Sequence, residues 1–160
     1  MTGIRGKGSF EGVLRRADGS EEVVRRDNMI VDAGFDLIFE RLFVSQNDNT
    51  DNKQLRFVVV GTGANSAEKS QTKLTSFLSA ATAQYFHTPG TKECKFVATF
   101  GTGVAIGAIS EAAVCYCKNS SPTASNDYGI IDRVTFPVVN KGREDVYTAT
   151  FKFVLGEISG

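Results

Sequence analysis

The stretch Leu55-Arg56-Phe57-Val58-Val59-Val60-Gly61-Thr62-Gly63 leaves this chain the fewest options. It is the most apolar and most β-branched run present, entered from a polar segment and left through two glycines. Such a run predicts a strand buried on both faces at the centre of a sheet. The other candidate strands alternate apolar and polar residues, as strands covered on one side do.

The segment Ser9 to Asn28 predicts a hairpin. Asp18-Gly19 suits a two-residue type I′ turn, which needs positive φ at both central positions. That turn sets Arg16 opposite Glu21, Arg15 opposite Glu22, Leu14 opposite Val23, Val13 opposite Val24 and Glu11 opposite Arg26. Opposite charges and apolar pairs then coincide, each pair contributing roughly 0.2–1 kcal/mol. Three of the four twinned arginines (Arg15-Arg16 and Arg25-Arg26) face carboxylates in this register, so they are read as their partners rather than as a nucleic-acid patch.

One amphipathic helix is expected near residues 32–44. Asp32 suits its N-cap, and Phe35, Ile38, Phe39, Leu42 and Phe43 recur at helical spacing as a single core-facing stripe. Residues 44–54 are polar and predict an exposed loop; Asp48, Thr50 and Asn52 resemble a calcium loop that lacks its glycine and closing glutamate. Residues 64–79 predict a loop, with a short helix from about Gln71 as an option.

Further strands are expected at Ala80–His87 and Glu93–Phe100, joined around Thr88-Pro89-Gly90, and at Ile109–Lys118. Asn119–Asn126 reads as a loop. The last pair, Ile130–Val139 and Asp145–Leu155, turns through Asn140-Lys141-Gly142-Arg143. In the final strand Tyr147, Ala149, Phe151, Phe153 and Leu155 should face inward. The pattern predicts a mainly β, antiparallel β-sandwich of about seven to eight strands with one packed helix, as a single domain over residues 1–160. A chain of 160 residues can bury a core without staples, since a domain of that size hides roughly 70% of its unfolded surface.

The chemical constellations are thin. Gly63 to Ser70 matches a phosphate loop except that Glu68 stands where the second glycine belongs, putting a carboxylate where a phosphate would sit. Gly61-Thr62-Gly63 lacks the third glycine of a dinucleotide fingerprint, Ser66 standing there instead. Cys94, Cys115, Cys117 and His87 are possible zinc ligands, but C-x-C is tighter than the usual spacing, and the cysteines read as small core residues. The lone histidine has no triad company. Glu111 is an oddity inside Ile109-Ser110-Glu111-Ala112-Ala113-Val114: an outward strand residue, an acceptor of backbone amides at a turn, or a functional acid. No catalytic, cofactor-binding or metal residue is assigned, and no cofactor.

Lysine plus arginine (18) offset aspartate plus glutamate (18), so no overall field draws in nucleic acid. The N-terminus lacks a signal-like apolar core, no stretch approaches a membrane span, and the three cysteines make no disulfide framework. A soluble protein made in a reducing cytoplasm is expected, with no membrane partner.

The order of these motifs resembles a group of small β-rich virion structural proteins of tailed bacteriophages, found among tail, neck, fibre and head-surface components. The likeness runs through the charged hairpin, Asn28-Met29-Ile30-Val31-Asp32-Ala33-Gly34 and its helix, Val60-Gly61-Thr62-Gly63, Phe96-Val97-Ala98-Thr99-Phe100, Ile109–Val114 and the closing strand pair. It covers most of residues 9–63 and 93–155 and leaves out 64–91; the chain departs from it around Ala113, near which a glycine is expected, with a less cysteine-rich strand after it. The resemblance implies a non-enzymatic assembly protein in the virion, a cyclic homo-oligomer contacting other virion proteins, with no small-molecule substrate. Capsid-surface decoration is the nearest alternative. Glycan binding comes third, weakened by scattered tyrosines (Tyr85, Tyr116, Tyr128, Tyr147) and no tryptophan.

Overall fold

The computed structural model describes residues 2–43, 55, 57–117, 121–124 and 128–159. Among them are ten strands and one helix: β1 (Thr2–Arg15), β2 (Glu21–Ile30), α1 (Asp32–Phe43), β3 (Phe57–Gly61), β4 (Phe77–Thr82), β5 (Gln84–His87), β6 (Glu93–Phe100), β7 (Gly107–Cys117), β8 (Tyr128–Ile130), β9 (Asp132–Lys141) and β10 (Val146–Ser159). All pairings are antiparallel, in the order β4-β3-β7-β9-β2-β1-β10-β6-β5, with β8 attached to β7. The protein is mainly β, as its alternating segments predict. The sheet curls until β3 and β4 meet β6, which nearly closes a barrel.

Two segments make the corners by changing partners. Up to Asn28, β2 pairs with β1; its last residues, Met29 and Ile30, pair with Arg133 and Asp132 of β9. Residues 77–87 pair first with β3 as β4 and then, past Ala83, with β6 as β5. The expected strand Ala80–His87 is therefore two strands, and residues 71–76 form no helix.

Inside lie Phe10, Phe136 and Phe151, the first with ring centroids 5.0 Å from each of the others. Tyr147, Ala149 and Phe151 are fully buried on the inner face, as alternation predicts. Leu155 shares that face but is 54% exposed, because β1 and β10 run on past the core. Each aromatic or branched side chain buried here contributes roughly 1.5–3 kcal/mol. A second apolar cluster lies on the outer face of β3 and β7, where Val59, Ala113, Cys115 and Cys117 meet Leu74 and Tyr128.

The apolar strand β3 is buried on both faces, Val58 and Val60 inward and Val59 outward, all at 0% exposure. It is not at the sheet's centre, however: only β4 lies beyond it. Its outer cover comes from the 62–76 segment and β8 rather than from a second layer of sheet.

The hairpin differs by one residue from its expected register. Arg15 faces Glu21, Leu14 faces Glu22 and Glu11 faces Arg25. Only Gly19 takes positive φ (86°), Gly19 N–H donates to Arg16 O, and Asp18 accepts from Ser20 N–H and hydroxyl. These bonds make a three-residue loop, a type I turn closed by a left-handed glycine. The charges still pair, Arg15 with Glu21 at 2.8 Å, Arg16 with Glu22 at 3.0 Å and Arg25 with Glu11 at 2.8 Å.

The helix also departs from expectation. Asp32 is its first residue, and Val31 O accepts from Gly34 and Phe35 N–H, so Val31 holds the cap position. Leu37 and Gly34 are buried, while Phe35 and Phe39 are 39% and 59% exposed. The helix docks where the backbone at Gly34 lies close to Ile131 O, and Ile38 of the expected stripe packs against the inner core. The side chains of Leu42 and Phe43, the 44–54 loop with Asp48, and residues 119, 120, 125 and 126 of the 119–126 loop lie outside the described residues.

Candidate functional site

The densest polar chemistry sits beneath the segment Thr62–Ser76, and a bulge creates it. Along β7 the register passes from Ile109 opposite Val139 to Glu111 opposite Thr135. Ile109 and Ala112 thus both face the inner core, and the two residues between them, Ser110 and Glu111, both turn outward. On β9 the bulge holds Pro137, which has no N–H to offer a ladder.

Glu111 Oε1 accepts from Gly63 N–H at 3.0 Å and Ser76 N–H at 2.7 Å, and Oε2 accepts from Thr75 N–H at 3.1 Å. Arg133, on the same face of neighbouring β9, gives Nε–H to Oε2 at 2.8 Å, and its Nη2 lies 2.8 Å from the same oxygen as an ion pair. Its remaining donors reach Asn65 O, Gln71 Oε1, Asn65 Oδ1 and Thr75 Oγ1 at 3.1–3.2 Å. Ser110 Oγ–H adds a bond to Gly63 O. Both charged side chains are 0% exposed. A buried ion pair persists only with such further hydrogen bonds, because taking each ion out of water costs several kcal/mol.

Of the readings open for Glu111, the structure therefore shows the acceptor of backbone amides. The pair pins a segment that has no secondary structure of its own. That segment then holds its neighbours: Lys69 O accepts from Asp32 N–H, Thr72 O from Ile130 N–H, and Leu74 N–H donates to Tyr128 Oη. The Lys73 ammonium lies 5.2 Å from the Tyr128 ring centroid, and burial raises the Tyr128 phenol above its ordinary range.

The phosphate-loop likeness ends here. The carboxylate cupped by Gly63, Thr75 and Ser76 N–H belongs to the protein itself, and no helix follows Gly63 among the described residues of the segment.

No family model, no curated protein and no solved structure matches this chain.

A second buried acid stands at the corner between β2 and β9. Asp132 accepts from Asn28 Nδ2 and from Val114 N–H at 2.7 Å, with no cation among these partners. Burial pushes its carboxyl up to about 7 from 3.8, against the lowering effect of these bonds.

The four candidate zinc ligands do not converge. Cys115 and Cys117 sit in the outer apolar cluster, where burial drives the Cys115 thiol far above its ordinary range. Cys94 lies on β6 directly across from His87 on β5. All three cysteines are free thiols. Sequence reasoning passed over Arg133 and Asp132; the signal available was two adjacent charges inside the apolar run Ile130-Ile131-Asp132-Arg133-Val134.

Proposed function

We propose that this chain is a structural protein of a tailed-phage virion, a non-enzymatic assembly component on the tail, neck or fibre side. The support is the order of motifs from the charged hairpin to the closing strand pair. We read the curled sheet as a sandwich, β2-β1-β10-β6-β5 over β4-β3-β7-β9, whose rim and ends serve as contact surfaces. The observation that carries the reading best is where polar and apolar groups have gone. The buried acid–base pair is spent on holding Thr62–Ser76, while Tyr85, Phe86, Val104, Ile106, Val138 and Leu155 stand 43–59% exposed at edges, turns and strand ends. Apolar groups displayed in this way suit a chain that buries them against companions.

On this reading the chain forms a cyclic homo-oligomer and meets other virion proteins; capsid-surface decoration is the alternative. Glycan binding is third, since Tyr128 and Tyr147 are buried and only Tyr85 of the tyrosines is largely exposed. Light scattering of the metal-free protein tests the proposal: a trimer, pentamer or hexamer is expected, and a strict monomer that binds a glycan array overturns it.

A further inference from the structure

We propose that His87 and Cys94 form half of a zinc site that a second copy of the chain completes with its own His87 and Cys94.

The pairing of β5 with β6 sets the two residues directly opposite, and such residues project from one face of the sheet. Their cross-strand row continues to Phe153, on the same inner face as Tyr147 and Phe151. His87 Nδ1 lies 2.7 Å from Glu93 O, which fixes a proton on Nδ1 and leaves the Nε2 lone pair for a metal. A backbone carbonyl holding the far ring nitrogen is the usual support of a zinc-bound imidazole. Cys94 is a half-buried free thiol, with burial raising it above its ordinary range, so zinc must displace its proton.

One chain supplies only two ligands here. Among the described residues no three metal-ligating side chains converge. Structural zinc takes four, and Cys₂His₂ is a common set. A two-fold axis through the metal supplies the missing pair from identical residues. Edge-to-edge pairing of two β5 strands would leave the Cys94 residues about 14 Å apart, three strand spacings of ~4.8 Å. That separation far exceeds twice a Zn–S bond of ~2.3 Å. The two copies must therefore meet face to face at the open end of the inner face, where Cys94 is only partly covered by the core and Tyr85 and Leu155 are 59% and 54% exposed.

The experiment uses the full chain, stripped with chelator and kept reduced, then given zinc ions at micromolar concentration. Bound metal and molar mass are read together. One zinc per two chains and a twofold rise in mass, reversed by chelator, are expected. His87→Ala and Cys94→Ser should each lose both, with unchanged circular dichroism, and cobalt should give the intense visible bands of a tetrahedral thiolate site. Zinc retained by Cys94→Ser would move the metal to Cys115 and Cys117 and overturn the proposal. A one-to-one complex without a mass change, or no uptake, would do the same. The mass without metal bears on the assembly reading and the zinc-dependent doubling on this one, so either can fail alone.

Discussion

Glu111 and Arg133 show how a residue that looks anomalous in a strand becomes a support for its neighbours. Removing one partner leaves a buried charge uncompensated, which costs about 3–5 kcal/mol. Glu111→Gln and Arg133→Met should each lose that much in urea unfolding, and the double variant should lose clearly less than their sum. Additive losses would show that the two act separately. The Glu111→Gln chain should also be cut by protease within 62–76 sooner than the parent. Asp132 makes a prediction with a different sign. Its folded-state carboxyl, at about 7 against 3.8 ordinarily, holds its proton more tightly than the unfolded chain does. The associated stability is present in full below about pH 3.8 and is lost as pH rises through about 7, at roughly 1.4 kcal/mol per pH unit. Asp132→Asn keeps an acceptor for Val114 N–H, so its curve should stay flatter across that window; parallel curves would defeat the argument. The odd placement of Glu111 was visible in the sequence as an acid in an apolar run, but not its partner. Which charged residue of β9 faces it depends on a bulge that alternation does not encode.

At the level of single elements, sequence pattern located nearly every strand and missed what tertiary contacts decide. The strand β3 was readable because burial on both faces leaves a continuous apolar run; the split of residues 77–87 was not, because Ala83 carries no turn signal. The hairpin's composition pointed to one register, and the three-residue loop, in which Asp18 accepts from Ser20, shifts it by one residue while three charge pairs still form. The helix misled for a related reason. Its stripe satisfied helical periodicity, yet close approach at Gly34 sets the docking, and a Cβ there would stand 2.1 Å from Ile131 O. Gly34→Ala should therefore be destabilising despite the roughly 1 kcal/mol that alanine gains over glycine inside a helix. A clash against backbone cannot be relieved by a rotamer change, and overpacking of this kind costs about 1–3 kcal/mol beyond that gain. Chemical denaturation of Gly34→Ala beside Gly101→Ala, where an added Cβ meets open space, checks it. Equal midpoints would mean that α1 is not held by its first turn.

For the molecule as a whole, one sheet holds three unequal populations of hydrogen bonds. The ladders joining β3 to β7 lie between two apolar clusters, so opening them uncovers Val58 and Val60 on one side and Val59, Ala113 and Cys115 on the other. The ladders of β5 have no such cover; all four of its residues are exposed, and its far edge pairs with no described strand. Between these extremes the β1–β2 hairpin buries Phe10 and Leu14 on β1 but little on β2. Local opening costs free energy in proportion to what it uncovers, which orders amide exchange. The amides of β3 and the middle of β7 should exchange slowest, near the rate set by global unfolding, and those of β5 fastest, with the hairpin between. Exchange measured by NMR or mass spectrometry at neutral pH resolves the three classes. If β2 proved as slow as β3, stability would be spread evenly around the curled sheet, and the doubly covered strand would lose its place as anchor. If the order holds, the edge that carries His87 is the least protected part of the sheet and the doubly covered strand its anchor.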